Sequence, residues 1–160
     1  MGSVPAYGYP PPKAKDRSWV WIVSAVALSL FILMGSCYYK LGREGAESDV
    51  AVAEFHKQMN AGECDAIYRD ATPEFEKAVT MDQWRTMCEG IPKKLGAHQR
   101  SSRQQVGFNT TINGSFVNAN YSSEFALGPG QERFSWKKDG KRLRLVGYFV
   151  NSPKLLTFDK

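Results

Sequence analysis

The groups in this 160-residue chain that could do chemistry are few: two histidines, three cysteines and sixteen carboxylates. General acid–base catalysis needs a carboxylate or imidazole of tuned pKa within reach of a donor that holds the substrate oxygen. The residues suited to it are Glu124, Asp70 and His56 as bases, with Tyr121 as the hydrogen-bond donor. Glu124 stands between apolar neighbours in a strand-like stretch. It points either into a cleft or onto the solvent face against Arg133 or Arg144, and the solvent face is the preferred reading. His56 follows Phe55 in a helical pattern that turns it to solvent or to a cleft mouth. His98 opens a strand beside Arg100 and Arg103, and a lone histidine is more often structural or exposed than catalytic. The chain contains no H-E-x-x-H, nucleophile elbow, glycine-rich phosphate loop or C-x-x-C. No metal-ligand cluster is evident, and no cofactor is expected.

Cys64 and Cys88 each fall on an apolar helix face and read as two small core residues. The alternative, open only if this part of the chain lies outside the cytoplasm, is a disulfide contributing roughly 2–4 kcal/mol. Cys37 is free or lipidated, because Met34-Gly35-Ser36-Cys37 loosely resembles a lipoprotein processing box. The glycosylation triplets at Asn109, Asn113 and Asn120 read as chance occurrences.

The formal net charge of +5 is unevenly spread. Residues 39–84 hold five basic and ten acidic groups, whereas residues 85–160 hold thirteen basic and five acidic. Arg100, Arg103, Lys137, Lys138, Lys141, Arg142 and Arg144 are expected to form a basic surface able to meet anionic headgroups or an acidic partner. Nucleic acid is not expected as a partner, since interleaved exposed aromatics are lacking.

These groups must be positioned by whatever the chain can build, and the strongest constraint lies near the start. Trp19–Tyr39 is 21 residues without a charge. As a helix it would rise roughly 30 Å, the thickness of a bilayer core. Trp19, Trp21, Tyr38 and Tyr39 bracket it as headgroup-level anchors. Lys13, Lys15 and Arg17 before the run outnumber Lys40 and Arg43 after it. The expected protein is therefore single-pass, with a cytoplasmic N-terminus and an extracytoplasmic, periplasmic C-terminal domain. Residues 1–18, rich in proline and glycine, read as a disordered cytoplasmic tail. Residues 19–39 are the span, 40–47 a linker, 48–152 the folded domain and 153–160 a C-terminal tail. Roughly 120 residues remain for one core, too few for two domains or a dinucleotide-binding fold.

Within the domain, Val52, Phe55 and Met59 recur at helical spacing up to Asn60-Ala61-Gly62. A short helix over 63–70 follows, then Thr72-Pro73 opens a brief turn and Thr80…Gln83 forms a capping box. Met81, Trp84, Cys88, Ile91 and Leu95 form a helical stripe, with a kink or early end expected near Gly90 because of Pro92. After Gly96 the period changes to two. Strands are expected at about 97–111, 115–125, 131–138 and 142–150, joined by turns at Asn113-Gly114, Leu127–Gly130 and Lys138–Gly140. Such short links force antiparallel neighbours. The fold class is α+β: helices packed on a curved four-stranded antiparallel sheet, preceded by one transmembrane helix.

Phe55…Gly62, Thr72-Pro73-Glu74-Phe75, the Trp84 helix, Tyr121…Phe125 and Asp139-Gly140…Leu143…Leu145…Gly147-Tyr148-Phe149 together resemble an uncharacterised bacterial branch of the nuclear-transport-factor-2-like superfamily. The resemblance covers roughly 95 residues and implies a cone-like α+β domain, exported or membrane-anchored. It departs from the family at Leu143, where relatives carry Trp. The expected function is a non-catalytic interaction or assembly module of an envelope or membrane complex. Its expected partners are membrane lipid and one or more membrane or envelope proteins, with self-association left open. The alternative is a small-ligand-binding or isomerase-like enzyme using the cone interior.

Overall fold

The computed structural model describes Gly8 and residues 18–156, with side chains given for residues 21–34 and 45–155. The expectations for the N-terminal tail, for lipidation at Cys37 and for the anchors Trp19, Tyr38 and Tyr39 lie outside the described residues or side chains. The chain divides into two units, Met1–Tyr38 and Tyr39–Lys160.

In the first unit the backbone is helical from Ser18 and the side chains of residues 21–34 are exposed. The Ser29 hydroxyl donates to the Ala25 carbonyl at 2.9 Å, so this polar group is satisfied within its own helix. Among the described residues no helix is long and apolar enough to cross a membrane. The described side chains cover 14 of the 21 positions of the uncharged run.

The second unit is α+β. Helix α1 spans Ser18–Asn60, so residues 40–47, where the sequence predicts a linker, are helical. A helical glycine costs about 1 kcal/mol against alanine, but here Gly45 has a use. The Arg103 guanidinium sits 2.6 Å from where a Cβ on Gly45 would stand, and it passes that point to meet Asp49 Oδ2 at 2.7 Å. Helices α2 (Cys64–Asp70), α3 (Pro73–Ala78) and α4 (Met81–Leu95) follow. Thr72 caps α3 through Phe75 N–H, and Thr80 and Gln83 cap α4 reciprocally. Helix α4 does not end near Gly90; it continues through Pro92 to Leu95 and closes on Gly96, whose φ of 77° suits glycine.

Cys64 and Cys88 are joined in a disulfide with Cα atoms 6.0 Å apart, rather than being two free core thiols. The bond ties α2 to α4 beside Trp84, whose indole Nε1–H donates to the Cys64 carbonyl at 2.7 Å. Trp84 is wholly buried.

Strands β1 (His98–Thr111), β2 (Gly114–Phe125), β3 (Gly128–Asp139) and β4 (Arg142–Asn151) form one antiparallel sheet in the order β1-β2-β3-β4. A short 3-10 turn, Pro153–Leu156, follows. The β2–β3 turn is only Ala126-Leu127, shorter than the sequence implies, so Pro129 and Gly130 lie inside β3. Register irregularities fall at His98/Arg100 and Arg103/Gln105 in β1 and opposite Ser135/Trp136 in β4. Such bulges bend the strands that carry them. Val117, Ala119, Tyr121, Phe125, Phe134, Trp136 and Leu145 project from the inner face onto Val52, Phe55 and Met59 of α1 and onto α4. Burying an aliphatic or aromatic side chain contributes roughly 1.5–3 kcal/mol, so this layer holds the helices on the sheet.

Candidate functional site

The inner face of the sheet carries two features, a buried polar cluster and an open apolar groove. The cluster centres on Glu132 in β3, which is 2% exposed. Glu132 shares its strand parity with Phe134 and Trp136, so the pleat sends it inward with them. Glu132 Oε2 accepts from His56 Nε2 at 3.0 Å and, through a short bond, from Ser123 Oγ. Glu132 Oε1 accepts from the Tyr148 hydroxyl at 2.6 Å. Ser123 Oγ lies 2.8 Å from Ser101 Oγ, which lies 2.7 Å from His98 Nε2. The His56 and His98 rings stack at 3.5 Å, almost parallel at 3°.

Donor counting fixes the protons along this chain. Burial is the largest influence on Glu132 and pushes its pKa up. The His56 bond and charge and the hydroxyls of Ser123 and Tyr148 together outweigh burial, and the carboxyl is held below its usual range. With Glu132 ionised, Ser123 must spend its one proton on the carboxylate, so Ser101 donates to Ser123 and His98 donates from Nε2 to Ser101. His98 therefore carries a proton on Nε2, and its lowered pKa makes that ring the neutral tautomer near pH 7. Burial, then the neighbouring His56, push its pKa down to about 4, with Glu132 opposing. Burial, then the Glu132 charge, raise the Tyr148 hydroxyl well above its usual value. His56 Nδ1 is buried without a hydrogen-bond partner among the described residues.

His56, His98 and Glu132 each offer a ligand atom within 4.8 Å of the others. No metal-ligand cluster is evident along the sequence, and the fold corrects that by bringing both histidines to one carboxylate. The ring stacking, however, places the two sets of nitrogen lone pairs in parallel planes. Two imidazoles on one ion must aim their lone pairs at a common point, so this arrangement suits a hydrogen-bonded circuit better than a cation.

The groove lies toward the other end of the inner face, with a volume of about 520 Å³. Val50 and Phe55 of α1, Ile67 of α2 and Trp136, Leu143 and Leu145 of the β3–β4 hairpin line it. Glu47, Glu54, Asp70, Lys141 and Arg142 form its charged rim. All three rim carboxylates have a basic partner, Asp70 in Arg142 at 2.8 Å, Glu47 in Lys138 at 3.1 Å and Glu54 in Lys57 at 3.3 Å.

The four sequence candidates for acid–base work do not converge. Glu124 is exposed and paired with Arg100 at 2.7 Å, so it lies on the solvent face as preferred, against a different arginine from the two expected. Asp70 is on the groove rim, tied to Arg142. Tyr121 is buried, its hydroxyl 2.9 Å from Asp49 Oδ1 and 3.0 Å from Ser48 Oγ, and burial pushes its pKa up to about 12. His56 faces neither solvent nor a cleft mouth; it is 2% exposed. The expected basic surface is also corrected. Arg100, Arg103, Lys137, Lys138, Arg142 and Arg144 each have a carboxylate oxygen within 4.0 Å, several of them on the acidic helices, while Lys141 lies on the groove rim. Glu132, Ser123 and Tyr148 were missed by sequence reasoning. Their parity with the inward residues Phe134, Tyr121 and Phe125 was the signal that could have found the first two.

No curated protein matches the chain. Residues 51–148, which carry the lower part of α1 and nearly all of the α+β unit, match a family model described as protein of unknown function (DUF4019). The chain belongs to the DUF4019 family.

Proposed function

We propose that this protein is a non-catalytic binding module, held at a membrane, whose groove receives an apolar segment of a membrane or envelope protein. One observation carries the reading. Among the described residues the accessible groove is apolar and presents no convergent acid, base or nucleophile, while Glu132 and His56 are buried on the inner face beside Phe125 and Phe134, with only His98 half-buried at the edge of their cluster. A groove of about 520 Å³ with an aromatic and aliphatic floor accommodates two or three anchor side chains.

The membrane attachment rests on the uncharged run Trp19–Tyr39 and its aromatic ends, with the N-terminus in the cytoplasm and residues 40–160 in the periplasm. A disulfide in the folded unit agrees with an oxidising compartment. Helices preceding a bulged four-stranded sheet support the resemblance to the nuclear-transport-factor-2-like superfamily and its cone-like shape. The groove volume also falls in the range of small-molecule sites, which keeps a small-ligand-binding role as the second reading.

A photocrosslinking residue placed at Val50, exposed at the groove, in the full-length membrane protein tests the module. A discrete protein adduct that disappears when Ala51→Trp fills the groove is expected. No adduct, or an adduct indifferent to Ala51→Trp, overturns it. A small molecule retained on native mass spectrometry and displaced by Ala51→Trp would instead establish the second reading. Fusing a periplasm-only reporter after Lys160 tests the orientation, and an inactive fusion reverses it.

A further inference from the structure

The outer face of the sheet carries a second cleft, of about 390 Å³, lined by Gln105, Gly107, Asn118, Asn120, Arg133 and Ser135. Register explains its shape. One cross-strand row reads Gln105, Asn120, Arg133, Phe149, and the next reads Gly107, Asn118, Ser135, Gly147. The second row, glycine at both ends and short in the middle, forms a trough beside the taller first row. A Cβ at Gly107 would meet nothing within 4 Å, so the trough is open there for want of a side chain.

The hydrogen bonding across the rows leaves donors over. Arg133 Nε donates to Asn120 Oδ1 at 3.2 Å, Asn120 Nδ2 to Gln105 Oε1 at 3.4 Å, and Ser135 Oγ to Asn118 Oδ1 at 2.7 Å. The amide oxygens are thus engaged, whereas Asn118 Nδ2, Gln105 Nε2 and the terminal guanidinium nitrogens of Arg133 are turned to the cleft or solvent without a partner among the described residues. The charge contrast is sharper. Every other lysine or arginine in the four strands has a carboxylate within 4.0 Å; among the described residues Arg133 has none. Beside it on the same face, its register partner Phe149 is 62% exposed.

We propose that this cleft binds a carboxylate-bearing saccharide. The two terminal nitrogens of Arg133 match a carboxylate bidentately and supply the charge complement that the fold omits. The Asn118 and Gln105 amide donors meet ring and N-acyl oxygens, and the Phe149 ring offers an apolar plate for the C–H face of a sugar. The site is on the opposite face from the groove and does not depend on what occupies the groove.

The test is titration of full-length protein in detergent with N-acetylmuramic acid, with N-acetylglucosamine (the same ring without the carboxylate) and with inorganic phosphate. N-acetylmuramic acid should bind about tenfold or more tightly than either control, consistent with one charge-assisted bidentate contact. Arg133→Gln should remove that preference, and Phe149→Ser should weaken the acidic sugar several-fold. Both are exposed positions whose variants should keep the parent circular dichroism and melting temperature. The proposal is overturned by equal binding of the two sugars, by binding indifferent to Arg133→Gln, by phosphate binding as tightly as the acidic sugar, or by no saturable binding below about 10 mM.

Discussion

The two ends of the inner sheet face invert the usual relation between chemistry and access. Glu132 and Trp136 are four residues apart on one strand and point to the same side. Around the Glu132 carboxylate lie two imidazoles and three hydroxyls, and the carboxylate, His56 and Ser123 are closed off from water. Around Trp136 lies a groove open to water whose floor offers almost only carbon. A reactive-looking cluster without access is a device of folding, because a buried charge is tolerated only with its full set of donors, and that requirement fixes which strands and helix meet. An accessible cavity without reactive groups is a device of recognition. The comparison predicts that damage at the first end appears as lost stability and damage at the second as lost binding.

The largest effect should come from Glu132→Ala. It strands the donors of His56, Ser123 and Tyr148 in the core, and breaking a buried pair in this way costs about 3–5 kcal/mol. Denaturant titration of the detergent-solubilised protein measures it. A loss under about 1 kcal/mol would mean that the cluster is not a charged, structural unit.

Acid should act on the same end. His98 is held neutral, with its pKa near 4 against 6.5 for the free side chain, so between those values the unfolded chain takes up a proton that the folded chain refuses. Stability contributed there is intact above about pH 6.5 and declines as pH falls toward 4. Glu132, depressed below 4.5, adds a further decline below that pH. Melting curves from pH 7 to pH 5 should show the midpoint falling, and His98→Gln should flatten the fall. An equally steep fall in the variant would show that His98 is not the group responsible.

The smallest effect on stability belongs to the groove. Val50→Ser removes a side chain that is 71% exposed, so the unfolding free energy should stay within about 0.5 kcal/mol while the crosslink made from a photoreactive residue moved to Glu54 on the groove rim weakens. A crosslink of undiminished yield would remove the groove from the contact.

Local signals in the sequence recovered the elements that local physics makes. Thr72-Pro73, the Thr80–Gln83 box and the stripe from Trp84 to Leu95 are decided within one or two helical turns, and they stand where the residues put them. Alternation placed four antiparallel strands. The candidate site was hidden because it is assembled from afar, with His56 and Glu132 separated by 76 positions. Gln131-Glu132-Arg133 also reads as a solvated stretch unless Glu132 is placed in phase with Phe134 and Trp136. The linker at 40–47 was misread for a related reason. Gly45 looks like a breaker alone, and only the arrival of Arg103 shows why a helix should carry it. The disulfide stayed open because two helical cysteines at suitable spacing pack equally well as thiols.

The charge seam has a consequence for synthesis. The ribosome delivers α1 to α4 first, as a segment with surplus acid, and then the sheet, with surplus base. Each half made alone repels copies of itself, and the pairs Asp49–Arg103, Asp70–Arg142 and Glu74–Lys137 can close only when the late strands arrive. The waiting helices are thereby kept from aggregating with one another, and the emerging hairpins are drawn to the surface they must cover.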